Sequence, residues 1–243
     1  MVWRRRAEAE RRRIRRPAAL DWARAEAPPE VILFEIVSVC SGNICRSPMV
    51  EQWLRARLSD LVESGALGIR SAGTIARAGD RMPEDAVAVS REHGGDPEAH
   101  AATPLSARTL GRPGLVLALA REHRRAVVET APAASRSTFT LLEFGRLAEA
   151  LDEDRARDRL TGLEAADRPA ALIAMLAASR GLVGPTTPGD DDVPDPYRRS
   201  RAVYDDAAAL MVPAVEQVAR MMRLALSVPA PGAPARAEEA GRA

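Results

Sequence analysis

The hydrophobic pattern changes character at residue 31. Before it, "MVWRRRAEAERRRIRRPAALDWARAEAPPE" (1–30) is dominated by charge, with nine arginines ahead of position 25. After it, "VILFEIVSV" (31–39) is an almost continuous apolar run, the signature of a strand covered on both faces. "SPMVEQWLRARLSDLV" (47–62) then places Met49, Val50, Trp53, Leu54, Leu58 and Leu61 at helical spacing. The alternation continues with "LGIRSAG" as a second strand, "EDAVAVSREHG" as a helix closed by Gly94, and "GLVLALA" (114–120) as a third strand. "REHRRAVVETA" reads as a third helix and "TFTLLEF" (138–144) as a fourth strand. Strands alternating with helices predict an α/β fold with a parallel sheet.

Residues 145–180 read as one or two helices, broken near Gly162 and Pro169. "GPTTPGDDDVPDP" (184–196) is a loop by composition, and 200–226 is a long amphipathic helix containing Pro213. The tail from Pro229 is rich in Pro, Ala and Gly and is expected to be disordered. The expected organisation is a basic extension at 1–30, one domain at 31–228 with a helical insertion near 146–190, and a tail at 229–243. Trp3, Ala7, Ile14, Ala18 and Trp22 share a helical face that Pro17 interrupts. That leaves two readings of the arm: a basic amphipathic helix for an anionic surface or partner, or a solvated extension or misassigned start.

Composition narrows the classes. A chain of 243 residues fits one domain with extensions, or at most two small ones. The net charge of +1 gives no global field toward nucleic acid or membrane, although all 35 basic residues are arginine. No apolar run approaches the roughly 18 residues of a membrane span, and the basic N-terminus lacks the apolar stretch of a signal peptide. Two cysteines, Cys40 and Cys45, do not make a secreted disulfide framework. The cytoplasm is the expected compartment.

The chemistry concentrates in "VSVCSGNICRSPM" (37–49). The first strand delivers Cys40 to the carboxyl edge of the sheet, where ligands bind in open α/β folds. Gly42 and Asn43 tolerate left-handed backbone angles, so the loop can turn successive N–H groups inward as an anion nest. The helix starting near Arg46 or Ser47 adds its positive end, and Pro48 suits its first turn. These dipoles and the Arg46 guanidinium favour the Cys40 thiolate, the nucleophilic form. Arg46 can grip two oxygens of a phosphoryl group. The plainer readings are a small buried cysteine and half a zinc site, for which no second cysteine pair exists. No His or carboxylate cluster has convincing metal spacing, and no cofactor is expected.

"VCSGNICRSP" resembles the active-site loop of the low-molecular-weight protein tyrosine phosphatases. "SAGT" (71–74) and "DPY" (195–197) match two further family motifs in the family's order. The resemblance spans roughly 31–226, loosely over 146–190, and implies a doubly wound four-stranded parallel sheet with helices on both faces. It implies that Cys40 is the nucleophile and that Arg46 and the backbone of Ser41, Gly42, Asn43, Ile44, Cys45 and Arg46 hold the phosphoryl oxygens. Ser47 would support the sulfur, and Asn43, Ser71 and His100 the loop; Asp195 would be the general acid. Asp190, Asp191 and Asp192 are expected to stay in solvent.

Aromatics usual at the pocket mouth are replaced: Arg77 takes one position and Arg198 follows Tyr197, which remains as a substrate lip. The expected function is hydrolysis of phosphotyrosine or aryl phosphate, in a phosphoprotein or small substrate, with a tyrosine kinase system as the possible counterpart. Arsenate reduction on the same fold and a non-catalytic phosphate-binding module are the alternatives. Cys45 is expected to capture oxidised Cys40 as a disulfide.

Overall fold

The computed structural model describes residues 34–185 and 187–227. The expectations for the basic arm, for 31–33 of the first strand and for the tail from Pro229 lie outside the described residues. Four strands, β1 (Phe34–Cys40), β2 (Leu67–Gly73), β3 (Leu115–Ala118) and β4 (Thr138–Thr140), form one sheet in the order β2-β1-β3-β4. All three pairings are parallel, as the α/β alternation predicts. Because the chain moves from β1 to one side for β2 and to the other for β3, the switch point of the topology lies at the carboxyl end of β1. That is the ligand-binding crevice of such sheets.

The helices are α1 (Arg46–Arg57), α2 (Ser59–Glu63), α3 (Glu84–Glu92), α4 (Ala107–Leu110) and α5 (Arg121–Thr130). They continue with α6 (Leu141–Glu149), α7 (Glu153–Thr161), α8 (Arg168–Ala178) and α9 (Arg201–Ser227). Successive strand residues point to opposite faces, which divides the core. Ile36, Leu115 and Leu117 join Trp53, Phe139, Phe144 and the α9 residues Met211 and Val215 in the larger cluster. Val37, Val39 and Val116 meet Leu110 and Val127 on the other face. Both faces are thus apolar, which is why β1 shows no polar alternation. Each fully buried aliphatic or aromatic side chain contributes about 1.5–3 kcal/mol relative to exposure.

Three predicted elements differ. The helix over 47–62 is two helices, because the backbone at Leu58 leaves helical geometry (φ −122°) while its side chain stays buried. "TFTLLEF" is only half strand: Thr140 ends β4 and caps α6, accepting from Glu143 N while the Glu143 carboxylate takes Thr140 N. Residues 145–180 hold the end of α6 plus α7 and α8; Gly162 closes α7, whereas Pro169 sits in the first turn of α8 rather than breaking a helix. Leu160 and Leu176 of these helices lie fully buried in the larger cluster.

Candidate active site

Cys40 is the last residue of β1, and α1 begins six residues later at Arg46. Between them the chain folds into a tight cup. Asn43 has φ +53°, a left-handed geometry that persists only where its surroundings over-determine it. They do. The buried Asn43 side chain donates to Ser47 Oγ at 2.9 Å and Ser71 Oγ at 2.8 Å, and accepts from Thr103 N at 2.7 Å. Its carbonyl oxygen lies 2.7 Å from His100 Nε2, which must be the donor because a carbonyl only accepts. Ser71 passes the chain on to Glu51 Oε2 at 2.6 Å.

The polarity of this network bears on the sulfur. Asn43 donates to Ser47 Oγ, so the Ser47 hydroxyl keeps its own proton for an acceptor. Cys40 Sγ lies 3.1 Å away, and Ala72 O at 3.3 Å is the competitor. Among the described residues, the N–H groups of Gly42 through Cys45 find no protein acceptor. The first turn of α1 holds no acidic residue to occupy its positive end. Gly73 closes the cup from β2: a Cβ there would stand 2.5 Å from Ser41 O and 2.7 Å from Asn43 N, so only glycine lets the strand end lie against the loop.

Arg46 is 4% exposed. Its Nη1 donates to Val193 O at 3.0 Å and its Nη2 pairs with Asp195 Oδ2 at 2.8 Å. Its Nε is buried with no partner among the described residues. One guanidinium therefore ties the cup to the segment carrying Asp195. That segment is fixed from below: Val193 N bonds Leu119 O, beyond the end of β3, at 2.9 Å. Asp192 accepts from Arg121 N at 2.7 Å and pairs with its side chain, which holds the Asp192 carboxyl below the usual range. Asp191 pairs with Arg146 at 2.8 Å. The expectation that Asp191 and Asp192 stay in solvent is therefore wrong: they latch the loop to α5 and α6. Asp190 instead bonds Thr187 N and Oγ1 locally.

Cys40, Ser41, Arg46, Arg77, Asp195 and Tyr197 line a cleft of about 310 Å³, with Ile44 and Cys45 also on its wall. Cavities of about 420 and 500 Å³ lie elsewhere, but neither is lined by a thiol. Tyr197 is half exposed at the mouth with Arg198 5.1 Å from its ring centroid. The buried Cys45 sulfur faces Tyr204 Oη at 3.8 Å; burial pushes this thiol up to about 12, partly opposed by that hydroxyl.

Two residues escaped sequence reasoning. Glu51 is four residues after Ser47, on the same face of α1, a spacing that offered a signal. His123 lies in the first turn of α5, 1% exposed, with Nε2 2.8 Å from Ser41 Oγ. Burial, then the Arg46 charge, push it down to about 4, so its ring is neutral near pH 7.

A parallel α/β sheet with a thiol at the floor of an anion cup, a buried arginine and a facing carboxylate defines a phosphate-handling protein of the cysteine type. Residues 35–158 match the family model described as low molecular weight phosphotyrosine protein phosphatase. A probable low molecular weight protein-tyrosine-phosphatase, EpsP, of Ralstonia nicotianae is 34% identical over 131 residues, 54% of this chain and 84% of that protein. A protein-arginine-phosphatase of Geobacillus stearothermophilus is 34% identical over 111 residues, 46% of this chain and 71% of that one. The solved low molecular weight protein tyrosine phosphatase of T. tengcongensis aligns with a TM-score of 0.52 at 28% identity, covering 77% of this chain and 98% of its own. The chain belongs to the low-molecular-weight protein tyrosine phosphatase family.

Proposed function

We propose that the protein hydrolyses phosphotyrosine in protein substrates, or related aryl phosphates, through a phosphocysteine formed on Cys40. The observation that carries this is the set of donors without a partner among the described residues, Arg46 Nε and the Gly42–Cys45 N–H groups, in the loop that lines one cleft with Cys40. A phosphoryl group satisfies them together. The Cys40 sulfur attacks phosphorus in line while the ester P–O bond breaks. Charge spread over the equatorial oxygens meets the guanidinium and the loop N–H groups. The bound dianion takes over the guanidinium from Asp195 Oδ2; the released carboxylate takes up a proton from solvent and gives it to the departing phenolate. In the second step Asp195 accepts a proton from water, water oxygen bonds phosphorus, and the S–P bond breaks. Ser47 O–H then donates to the departing sulfur. Asn43, Ser71 and His100 keep the cup in shape, and Tyr197 offers a ring face to the substrate.

Asp195→Asn should lower kcat on phenyl phosphate by about 10²–10⁴, the worth of a positioned general acid. On para-nitrophenyl phosphate, whose leaving group needs little protonation, the loss should be clearly smaller. Equal losses on the two substrates, measured at steady state, would remove Asp195 from that role. Because one relative is named for phosphoarginine chemistry, a phosphoarginine protein should be run as a competing substrate. Arsenate reduction coupled to thioredoxin needs a relay of cysteines beyond the loop, and the sequence has only Cys40 and Cys45.

Residues 31–228 are read as one catalytic domain with the helices near 146–190 as an insertion, a reading supported by the α7 and α8 residues in the common core. A tyrosine kinase system and the cytoplasm are the setting that fits the substrate; among the described residues, no helix is long and apolar enough to cross a membrane. The reading uses no metal, and among those residues no three potential ligands cluster. Cys45 is assigned a protective role: peroxide converts the Cys40 thiolate to a sulfenic acid, and Cys45 displaces its hydroxyl to form a disulfide with release of water. Cys45→Ser should then recover less activity than wild type when peroxide treatment is followed by thiol; equal recovery would end this idea.

A further inference from the structure

Ser41 Oγ sits between two groups, His123 Nε2 at 2.8 Å and Arg46 Nη2 at 3.4 Å. A guanidinium only donates. Glu122 Oε1 stands 3.4 Å from the same His123 Nε2, and a carboxylate only accepts. A lone pair on Nε2 would face that carboxylate, so the ring proton belongs on Nε2, from where it donates to Ser41. His123 Nδ1, buried and without a partner among the described residues, is then left as a bare acceptor rather than an unpaired N–H. With both neighbours donating, the Ser41 hydroxyl oxygen is fully used as an acceptor and its own proton is unspent. Ser41 lines the cleft beside Cys40 and Arg46.

The geometry points to Ser41 as a further hydrogen-bond donor to the bound phosphoryl group, with His123 as the positioning residue that frees and aims its proton. This rests on the phosphatase reading above. The hydroxyl adds a donor beside Arg46 Nη2, 3.4 Å away, to those of the guanidinium and the loop.

The test uses the full chain, inorganic phosphate as the probe in titration calorimetry, and para-nitrophenyl phosphate turnover. Ser41→Ala should weaken phosphate binding about tenfold, the scale of one hydrogen bond to a charged group, and lower kcat/KM in step. His123→Leu should weaken it several-fold, and His123→Gln, which restores an N–H donor, should recover most of the loss. The double variant Ser41→Ala with His123→Leu should bind no worse than Ser41→Ala alone, whereas a merely structural His123 would multiply the two losses. Nitrogen-15 shifts of the His123 ring should place its proton on Nε2, a readout that does not depend on any variant folding. Wild-type phosphate affinity in Ser41→Ala, multiplied losses, or a proton on Nδ1 would each overturn the proposal while leaving the phosphatase reading intact. Failure of the wild type to bind phosphate would overturn both.

Discussion

Replacing Cys40 by serine is expected to abolish turnover of para-nitrophenyl phosphate, with a loss on the order of 10⁵–10⁶ in kcat, the scale known for removing a nucleophile. Phosphate binding should survive. A serine hydroxyl is a far weaker nucleophile toward phosphorus than a cysteine sulfur, so the attacking group is lost. The donors that hold the phosphoryl oxygens are untouched, because they belong to the loop backbone and to Arg46. The change is nearly isosteric at a residue only 3% exposed, so the fold should tolerate it. Steady-state kinetics paired with phosphate calorimetry separates the two effects. Turnover within tenfold of wild type would mean that the sulfur is a bystander.

Arg46→Lys should cost about 10³ or more in kcat/KM, within the range found where arginine stabilises a transferring phosphoryl group. Charge is nominally kept, yet the fork is lost. Arg46 Nη1 holds Val193 O, while Nε, and Nη2 once the ligand displaces Asp195, serve the phosphoryl oxygens. A single ammonium cannot span those positions. At a site this buried, a lysine left without matched partners also tends to give up its proton. The substitution should therefore weaken phosphate binding as well as turnover, and loosen the loop around Asp195. Lysine within tenfold of wild type on para-nitrophenyl phosphate would show that only net charge matters there.

What was legible in the sequence was whatever is written in adjacent residues. The strand, Cys40, the Gly42–Asn43 turn, Arg46 and Pro48 occupy one short stretch, so the cup is written locally. The misses are of two kinds. Where two elements abut, periodicity does not mark the junction: "TFTLLEF" runs from strand to helix without glycine or proline, and only the Thr140–Glu143 capping pair signals that a helix has begun. At Leu58 even that signal is missing, since the apolar spacing runs on through the break without glycine or proline. The other misses are long-range polar pairings. Asp192 looked like one of three acidic loop residues until Arg121 stood beside it, 71 positions away. His123 looked like one position in a basic helix until the β3–α5 turn carried it against Ser41, 82 positions away.

The most direct test of the central claim is to quench the enzyme in acid during turnover of para-nitrophenyl phosphate and locate the phosphoryl group by tandem mass spectrometry. Wild type, and more strongly a variant slowed at Asp195, should carry one phosphoryl group on Cys40. A quenched enzyme that turns over substrate yet carries no phosphoryl group on Cys40, or carries it on Ser41 or Ser47, would contradict the account.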